Sequence, residues 1–305
     1  MKKTILITGG AGFIASHIAD AYIAEGHNVV IVDNLSTGFR ANVNKKAKFY
    51  KADIKDLEQL RKIFKKEKPQ IVSHHAAVAE VVRSLRDPKL TFATNVDGIV
   101  NVLMCAGEIG IQKFIFASTG GAIYGQPKRI PANEETLTMP LSPYGLSKLL
   151  GEECIKYYAA HYGFSYTIFR YTNIYGPRQN PKGEAGVIAI FGGLMKAGKR
   201  PIIFGDGTKI RDYLFVEDVV RANMHALSQS GNHLMNLGWG NQVRDREIFD
   251  AIAKILNYKG EPIFKPFRIG EVYKITIDAS RAKKIMGWEP KITLKEGLLR
   301  TLQKI

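Results

Sequence analysis

Residues 142–148 read Ser142-Pro143-Tyr144-Gly145-Leu146-Ser147-Lys148. Ser142 suits a helix N-cap and Pro143 the first helical position. Tyr144 and Lys148 then stand at i and i+4 on one helix face. A free phenol titrates near ~10, too high for a base at neutral pH. A nearby ammonium favours the phenolate, and a helix N-terminus acts in the same direction. Tyr144 is therefore a candidate proton acceptor, with Lys148 as its partner. Upstream, Ser118 and Thr119 end an apolar run and precede Gly120-Gly121. A hydroxyl there can hydrogen-bond an oxygen that passes between alcohol and ketone. Both are candidates on position alone.

The elements that must position these groups alternate strand and helix. Short apolar runs predict strands at Thr4–Thr8, Val29–Val32, Ile71–His75, Lys113–Ser118 and Tyr166–Arg170, with a shorter one at Lys48–Lys51. Helical spacing covers Gly12 to about Gly26, Leu57–Lys66, Asn95–Gly107 and Pro143–Tyr162. Buried strands separated by amphipathic helices imply an α/β fold, a Rossmann-type parallel sheet covered on both faces. Ligands in such sheets bind beyond the carboxyl ends of the strands. After Arg170 the pattern loosens into Gly- and Pro-rich segments at Gly176-Pro177, Pro181-Lys182-Gly183 and Gly205-Asp206-Gly207. The expected division is a dinucleotide-binding domain over 1–170, rejoined by about 213–238. A smaller C-terminal substrate lobe takes 171–212 and 239–305.

The first strand runs into Thr8-Gly9-Gly10-Ala11-Gly12-Phe13-Ile14-Ala15. Gly9 permits a tight turn. Gly12 lets a pyrophosphate approach the start of the helix, where free N–H groups and the dipole attract anions. Ala15 stands where a third glycine is usual and is still small. Asp33 ends the second strand, 21 residues after Gly12. A carboxylate there accepts hydrogen bonds from ribose hydroxyls and repels a 2′-phosphate, so NAD is expected over NADP. Asn34 follows it, and Asp53-Ile54 are candidates to border the adenine.

The formal net charge is +16 and 45% of residues are hydrophobic. The charge invites a nucleic-acid reading. The densest basic stretch, 45–68, is interrupted by Asp53, Asp56, Glu58 and Glu67 and shows no series of stacking aromatics. It reads as a lysine-rich solvated surface, and no nucleic-acid partner is expected. A positive field also suits an anionic small substrate. Absence of an 18-residue apolar run predicts no membrane span. Cys105 and Cys154 are far apart, without a C-x-x-C, which points to a reducing compartment, the cytoplasm, and to no structural zinc. His74 and His75 are adjacent on a strand and face opposite ways, so no metal is expected there.

Taken together, Thr8-Gly9-Gly10-Ala11-Gly12-Phe13-Ile14, Ser118-Thr119, Ser142-Pro143-Tyr144-x-x-x-Lys148, Arg170-Tyr171-x-Asn173-x-Tyr175-Gly176-Pro177-Arg178 and Arg211-Asp212-Tyr213 resemble extended short-chain dehydrogenases acting on nucleotide sugars. Within them the chain is most similar to the UDP-glucose 4-epimerase family, up to Gly287-Trp288-Glu289-Pro290. The resemblance implies Tyr144 as base, Lys148 holding it and the nicotinamide ribose, and Thr119 on the sugar hydroxyl. Thr119 is preferred because the family keeps 25 positions between this hydroxyl and the tyrosine, though one extra residue before Tyr124 keeps Ser118 in play. It implies NAD contacts at Gly9, Gly12, Phe13, Ile14, Asp33, Asn34, Asp53, Ile54, Ala76, Ala77, Asn95 and Tyr171. It implies a UDP-sugar bound by Asn173, Val187, Phe204, Arg211, Arg268 and Glu271, with the arginines on the diphosphate and Glu271 on a ribose. It also implies a homodimer through the helices near Asn95–Gly107 and Pro143–Tyr162.

Three departures bear on the sugar. Val78-Ala79-Glu80 replaces a glutamine- and serine-bearing stretch, so Glu80 is expected near the sugar. Trp239 stands where a small polar residue is common. Ile275 lies near a position where bulk excludes N-acetyl groups in some epimerases, so a smaller residue leaves room for N-acetylhexosamines. A 4,6-dehydratase needs an acidic pair after Thr119, where Gly120-Gly121 stand. A 4-reductase, or a glucuronate-type epimerase or decarboxylase, fits the same motifs. A non-catalytic RNA- or nucleotide-binding protein of this fold would be expected to lose Tyr144 or Lys148.

Overall fold

The computed structural model describes residues 2–181 and 186–305. Lys182-Gly183, expected in a loop, lie outside the described residues. Seven parallel strands form the central sheet: β1 (Thr4–Thr8), β2 (Asn28–Asp33), β3 (Lys48–Lys51), β4 (Ile71–His74), β5 (Lys113–Thr119), β6 (Ser165–Tyr171) and β11 (His233–Leu237). Their order is β3-β2-β1-β4-β5-β6-β11. Ile5, Leu6, Ile7, Val72, Phe114 and Ile115 are fully buried, as continuous apolar strands covered on both faces must be. The order reverses between β1 and β4, which opens a crevice at their carboxyl ends.

One face carries α1 (Phe13–Ala24), α9 (Val216–Ala226) and α11 (Ser280–Met286), packed through Ile18, Tyr22, Val219, Ala222 and Trp288. The other carries α2 (Leu57–Glu67), α5 (Gly98–Ile109) and α7 (Pro143–Tyr162), packed through Leu60, Phe64, Val102, Leu103 and Ile155. Short helices α3 (Val81–Arg86), α4 (Pro88–Phe92) and α6 (Gly120–Ile123) lie along the strand ends. A π-turn at Ala93–Asp97 joins α4 to α5. The continuous helix Pro88–Ile109 is long and apolar enough to cross a membrane by length and composition, although polar residues such as Asn95 and Asp97 interrupt its apolar run. Its inward side is core: Ile99, Val102, Leu103, Cys105 and Ala106 are buried on the sheet.

The second lobe has its own core of Ile188, Phe191, Ile203, Phe249, Ile252, Leu298 and Leu302. It holds α8 (Val187–Lys196), α10 (Asp245–Leu256) and α12 (Leu294–Leu302). Small strand pairs join β7 (Asn173–Tyr175) to β10 (Tyr213–Phe215), β8 (Ile202–Phe204) to β13 (Ile263–Lys265), and β9 (Ile210–Arg211) to β12 (Val243–Arg244). Two boundaries differ from the sequence division. Tyr213–Phe215 pairs within the lobe, so the return to the sheet begins with α9. Residues 280–288 fold back under β11, because Trp288 is buried there and donates its indole N–H to Asp218 O at 2.9 Å.

Candidate active site

A single cleft of about 1560 Å³ runs along the strand ends, from the glycine loop to the second lobe. Gly9, Gly12, Phe13, Ile14, Asp33, Asn34, Asp53, Ile54, Ala76, Ala77 and Tyr171 line it. Gly9 has φ +69, and a Cβ there would lie 2.7 Å from Ala76 N, so only glycine fits between β1 and the chain leaving β4. Gly12 caps α1 and leaves its first N–H groups facing the cleft. Asp33 is fixed by two backbone donors: Ala11 N–H to Oδ2 at 2.9 Å and Leu35 N–H to Oδ1 at 2.7 Å. Each oxygen keeps a lone pair for a hydroxyl. Asn34 donates to Asp53 Oδ2 at 3.0 Å, which aligns the adenine-side rim. The glycine cradle, the helix N-terminus and this carboxylate fit NAD.

Asn95 is the exception among the expected cofactor residues. It is buried behind the cleft wall. It accepts from Val78 N–H at 2.7 Å, and its amide donates to Val78 O at 3.0 Å and Ser147 Oγ at 2.9 Å. An amide can grip a strand-like backbone on both sides and still reach a helix, so Asn95 braces the wall against α7.

The catalytic pair sits where α7 begins. Ser142 Oγ accepts from Gly145 N–H at 3.2 Å. Gly145 lets the helix close on α6, since a Cβ there would lie 2.7 Å from Ala122 O. Tyr144 and Lys148 both line the cleft. Tyr144 is hydrogen-bonded to Thr119, which lowers its pKa, but burial outweighs this and pushes the phenol up to about 12. The expected depression by the ammonium is therefore not what this chain sets up alone. Lys148 Nζ instead donates to Ala117 O at 2.8 Å and lies 4.8 Å from the Phe116 ring centroid. Burial lowers Lys148 to about 7, with Glu152 acting the other way. Ser118 and Thr119 separate cleanly. Ser118 Oγ donates to Glu152 Oε1 at 2.5 Å, so its hydroxyl is committed to the interior. Thr119 is the one beside Tyr144.

That Glu152 belongs to a buried network absent from the sequence reading. Arg170 Nε and Nη2 donate to its two oxygens at 2.9 and 2.6 Å. Arg170 Nη1 donates to Tyr124 Oη at 3.0 Å, and Tyr124 donates to Asn236 Oδ1 at 2.7 Å. The network ties β5, β6, α6 and β11 to α7 one turn below Lys148. Its signal was present: Glu152 is four residues after Lys148, on the same helix face.

His74 and His75 separate as strand geometry requires. His74 pairs with Thr8 Oγ1 at 2.8 Å and stacks on Phe116, while His75 pairs with Ser73 Oγ at 2.9 Å and lines the cleft. Among the described residues no group of three His, Cys, Asp or Glu side chains can hold a metal. The basic stretch at 45–68 is partly paired, with Lys48 on Glu67 at 2.8 Å and Arg61 on Glu108 at 2.9 Å.

The lobe end of the cleft is cationic. Asn173, Val187, Phe204, Arg211, Arg268 and Glu271 all line it. Arg211 donates to the carbonyls of Ile210 at 2.9 Å, Tyr273 at 3.1 Å and Val272, which binds the 266–274 connection to β9. The Arg268 guanidinium lies 3.5 Å from the Phe204 ring centroid. Lys209 and Asp245, also on this wall, were missed because a lone Lys before a strand or a lone Asp at a helix start carries no motif.

Of the three departures, only Glu80 faces the cleft. Trp239 packs against the core below the sheet, and its backbone N–H donates to Asp212 Oδ1 at 3.1 Å. Ile275 is 1% exposed, inside a cluster with Ile123, Tyr124, Ala132, Val272 and Ile277. Val272, not Ile275, is the member of that cluster that lines the cleft. Ile275, buried in this cluster, does not line the cleft and so gives no room there for an N-acetyl group.

This sheet, crevice and tyrosine–lysine site define a dinucleotide-dependent enzyme of the extended short-chain dehydrogenase type. Residues 5–238 match the NAD dependent epimerase/dehydratase family, and the chain belongs to it. A UDP-glucose 4-epimerase of Mycolicibacterium smegmatis is 39% identical over 304 residues, covering 98% of this chain and 97% of that one. The crystal structure of the Thermotoga maritima UDP-glucose 4-epimerase with UDP-glucose superposes with a TM-score of 0.97 at 45% identity, over 98% of this chain and 97% of that one. The Thermus thermophilus UDP-glucose 4-epimerase in complex with NAD gives 0.94 at 38% identity, over 98% of each chain.

Proposed function

We propose that this chain is an NAD-dependent epimerase that inverts carbon 4 of a UDP-hexose, interconverting UDP-glucose and UDP-galactose through a transient 4-keto sugar. One observation carries the reading. Tyr144, bonded to Thr119, stands in one cleft between a dinucleotide cradle and a cationic lobe. The names of the similar proteins, and the UDP-glucose and NAD in two of their structures, support it. NAD bound in the cradle supplies the hydride acceptor, and afterwards the donor, for carbon 4. Tyr144 Oη takes the proton of the sugar 4-hydroxyl and later returns it. Thr119 shares a hydrogen bond with that phenol and holds the sugar oxygen in line. Lys148, fixed by Ala117 O, aligns the phenol side of the cleft. The lobe grips the nucleotide, which leaves the ketone free to turn over and present its other face. Incubation with UDP-galactose, other UDP- and dTDP-sugars and UDP-N-acetylglucosamine, with products resolved by chromatography, tests this. Unchanged UDP-galactose beside turnover of a different sugar nucleotide refutes it.

A homodimer through α5 and α7 and a cytoplasmic location are part of the same proposal. In support, Leu146, Leu150 and Tyr157 are exposed at helical spacing on α7, Tyr157 by 67%. Light scattering of the purified chain reads the mass directly.

A further inference from the structure

Lys209 lies in the turn that leads into β9, with its side chain 8% exposed. Its Nζ is 2.7 Å from Glu271 Oε2 and 3.3 Å from Asp245 Oδ2. Three separate segments meet at this one ammonium: the turn, the first residue of α10 and the connection that carries Glu271. The backbone fixes the geometry, since Asp245 N–H donates to Lys209 O at 3.1 Å and Arg246 N–H to Gly207 O at 3.1 Å. All three side chains line the cleft. The other oxygen of Glu271 is 3.6 Å from Arg268 Nη1.

We infer that Lys209 is a specificity-determining positioning residue: it holds the Glu271 carboxylate ready for the two adjacent hydroxyls of a ribonucleoside, and so discriminates ribo- from 2′-deoxyribonucleotides. The inference rests on the reading of this lobe as the seat of a nucleoside diphosphate. A carboxylate has two oxygens and about four acceptor directions. Lys209 takes one on Oε2 and Arg268 approaches Oε1. The directions left over are available to the two hydroxyls of a vicinal diol. A 2′-deoxy sugar offers one donor where two are expected, and a half-buried acceptor is left unpaired.

Charge makes Lys209 necessary rather than convenient. The wall carries Lys209, Arg211 and Arg268 against Asp245 and Glu271, an excess of one cation facing the diphosphate. Without the lysine the excess is gone, and two carboxylates confront each other with no ammonium between them. Glu271 then loses the ammonium that holds Oε2, besides the balance against Asp245, and leaves the position that reads the ribose.

The test uses the NAD-loaded protein, with UDP and 2′-deoxy-UDP as calorimetric probes. Wild type is expected to prefer UDP by about tenfold or more, as loss of a hydrogen bond to a charged group predicts. Lys209→Met should weaken UDP by about tenfold and bring the two nucleotides within about twofold, while Lys209→Arg restores most of the preference. KM for the UDP-sugar should rise more than kcat falls. Lys209→Met/Asp245→Asn removes the uncompensated carboxylate, keeps the fold testable and should still lack the preference. An unchanged UDP to 2′-deoxy-UDP ratio in Lys209→Met or in the double variant overturns the inference, as does equal binding of both by wild type. Wild type that binds neither nucleotide overturns the parent reading itself.

Discussion

Glu152→Gln is the perturbation whose size the structure allows to be worked out. Glu152 is fully buried and Arg170 is 4% exposed, and the pair shares two hydrogen bonds at 2.6 and 2.9 Å. The amide keeps the shape but leaves the guanidinium of Arg170 without its counter-charge. Breaking a buried pair from one side costs roughly 3–5 kcal/mol. Unfolding entropy of about 2.1 cal/mol/K per residue gives roughly 640 cal/mol/K for a chain of this length, so Tm should fall by about 5–8 °C. Removing both charges with Glu152→Met/Arg170→Met should recover most of that loss, because burial of two charges is itself costly. Differential scanning calorimetry of the three proteins reads this. A single variant melting within about 1 °C of wild type refutes the reasoning, and so does a double variant that melts lower than the single.

Two further outcomes follow from the same site. Thr119→Val should reduce kcat by about 10²-fold or more because the phenol loses its partner, whereas Ser118→Ala should show its main effect as a lower Tm, read by steady-state rates beside thermal melts. Lys148 holds its proton less well folded, at about 7, than in water, at 10.5. The unfolded chain therefore binds more protons between these values, and the Lys148 contribution makes stability rise with pH across that window. Lys148→Met should flatten this part of a denaturant-midpoint series, and an unchanged slope would count against it.

The sheet was legible because its strands are buried on both faces and its glycine loop and helix starts carry local rules. Tyr144, Lys148 and Asp33 follow from spacing and strand ends. What the sequence hid is what distance along the chain hides. Glu152 meets Arg170 across 18 residues, and Lys209 meets Glu271 across 62. Glu152 shows its place on the Lys148 face of α7 but not its partner, and Lys209 shows neither. Packing, which spacing does not show, decides where Asn95 and Ile275 lie: Asn95 bonds Val78 and Ser147 of α7, and Ile275 sits in the Val272 cluster. At Tyr144 the i,i+4 spacing gave no sign of burial, which outweighs the Thr119 hydrogen bond, while Lys148 Nζ is turned to Ala117 O.

The central claim is that Tyr144 moves the proton of a sugar hydroxyl in a reversible inversion at carbon 4. Purified protein, supplied with NAD and UDP-galactose, should form UDP-glucose with no net consumption of NAD. Tyr144→Phe, still folded by its melting curve, should do so about 10²–10⁴-fold more slowly. A Tyr144→Phe protein that converts UDP-galactose at the wild-type rate would contradict the account.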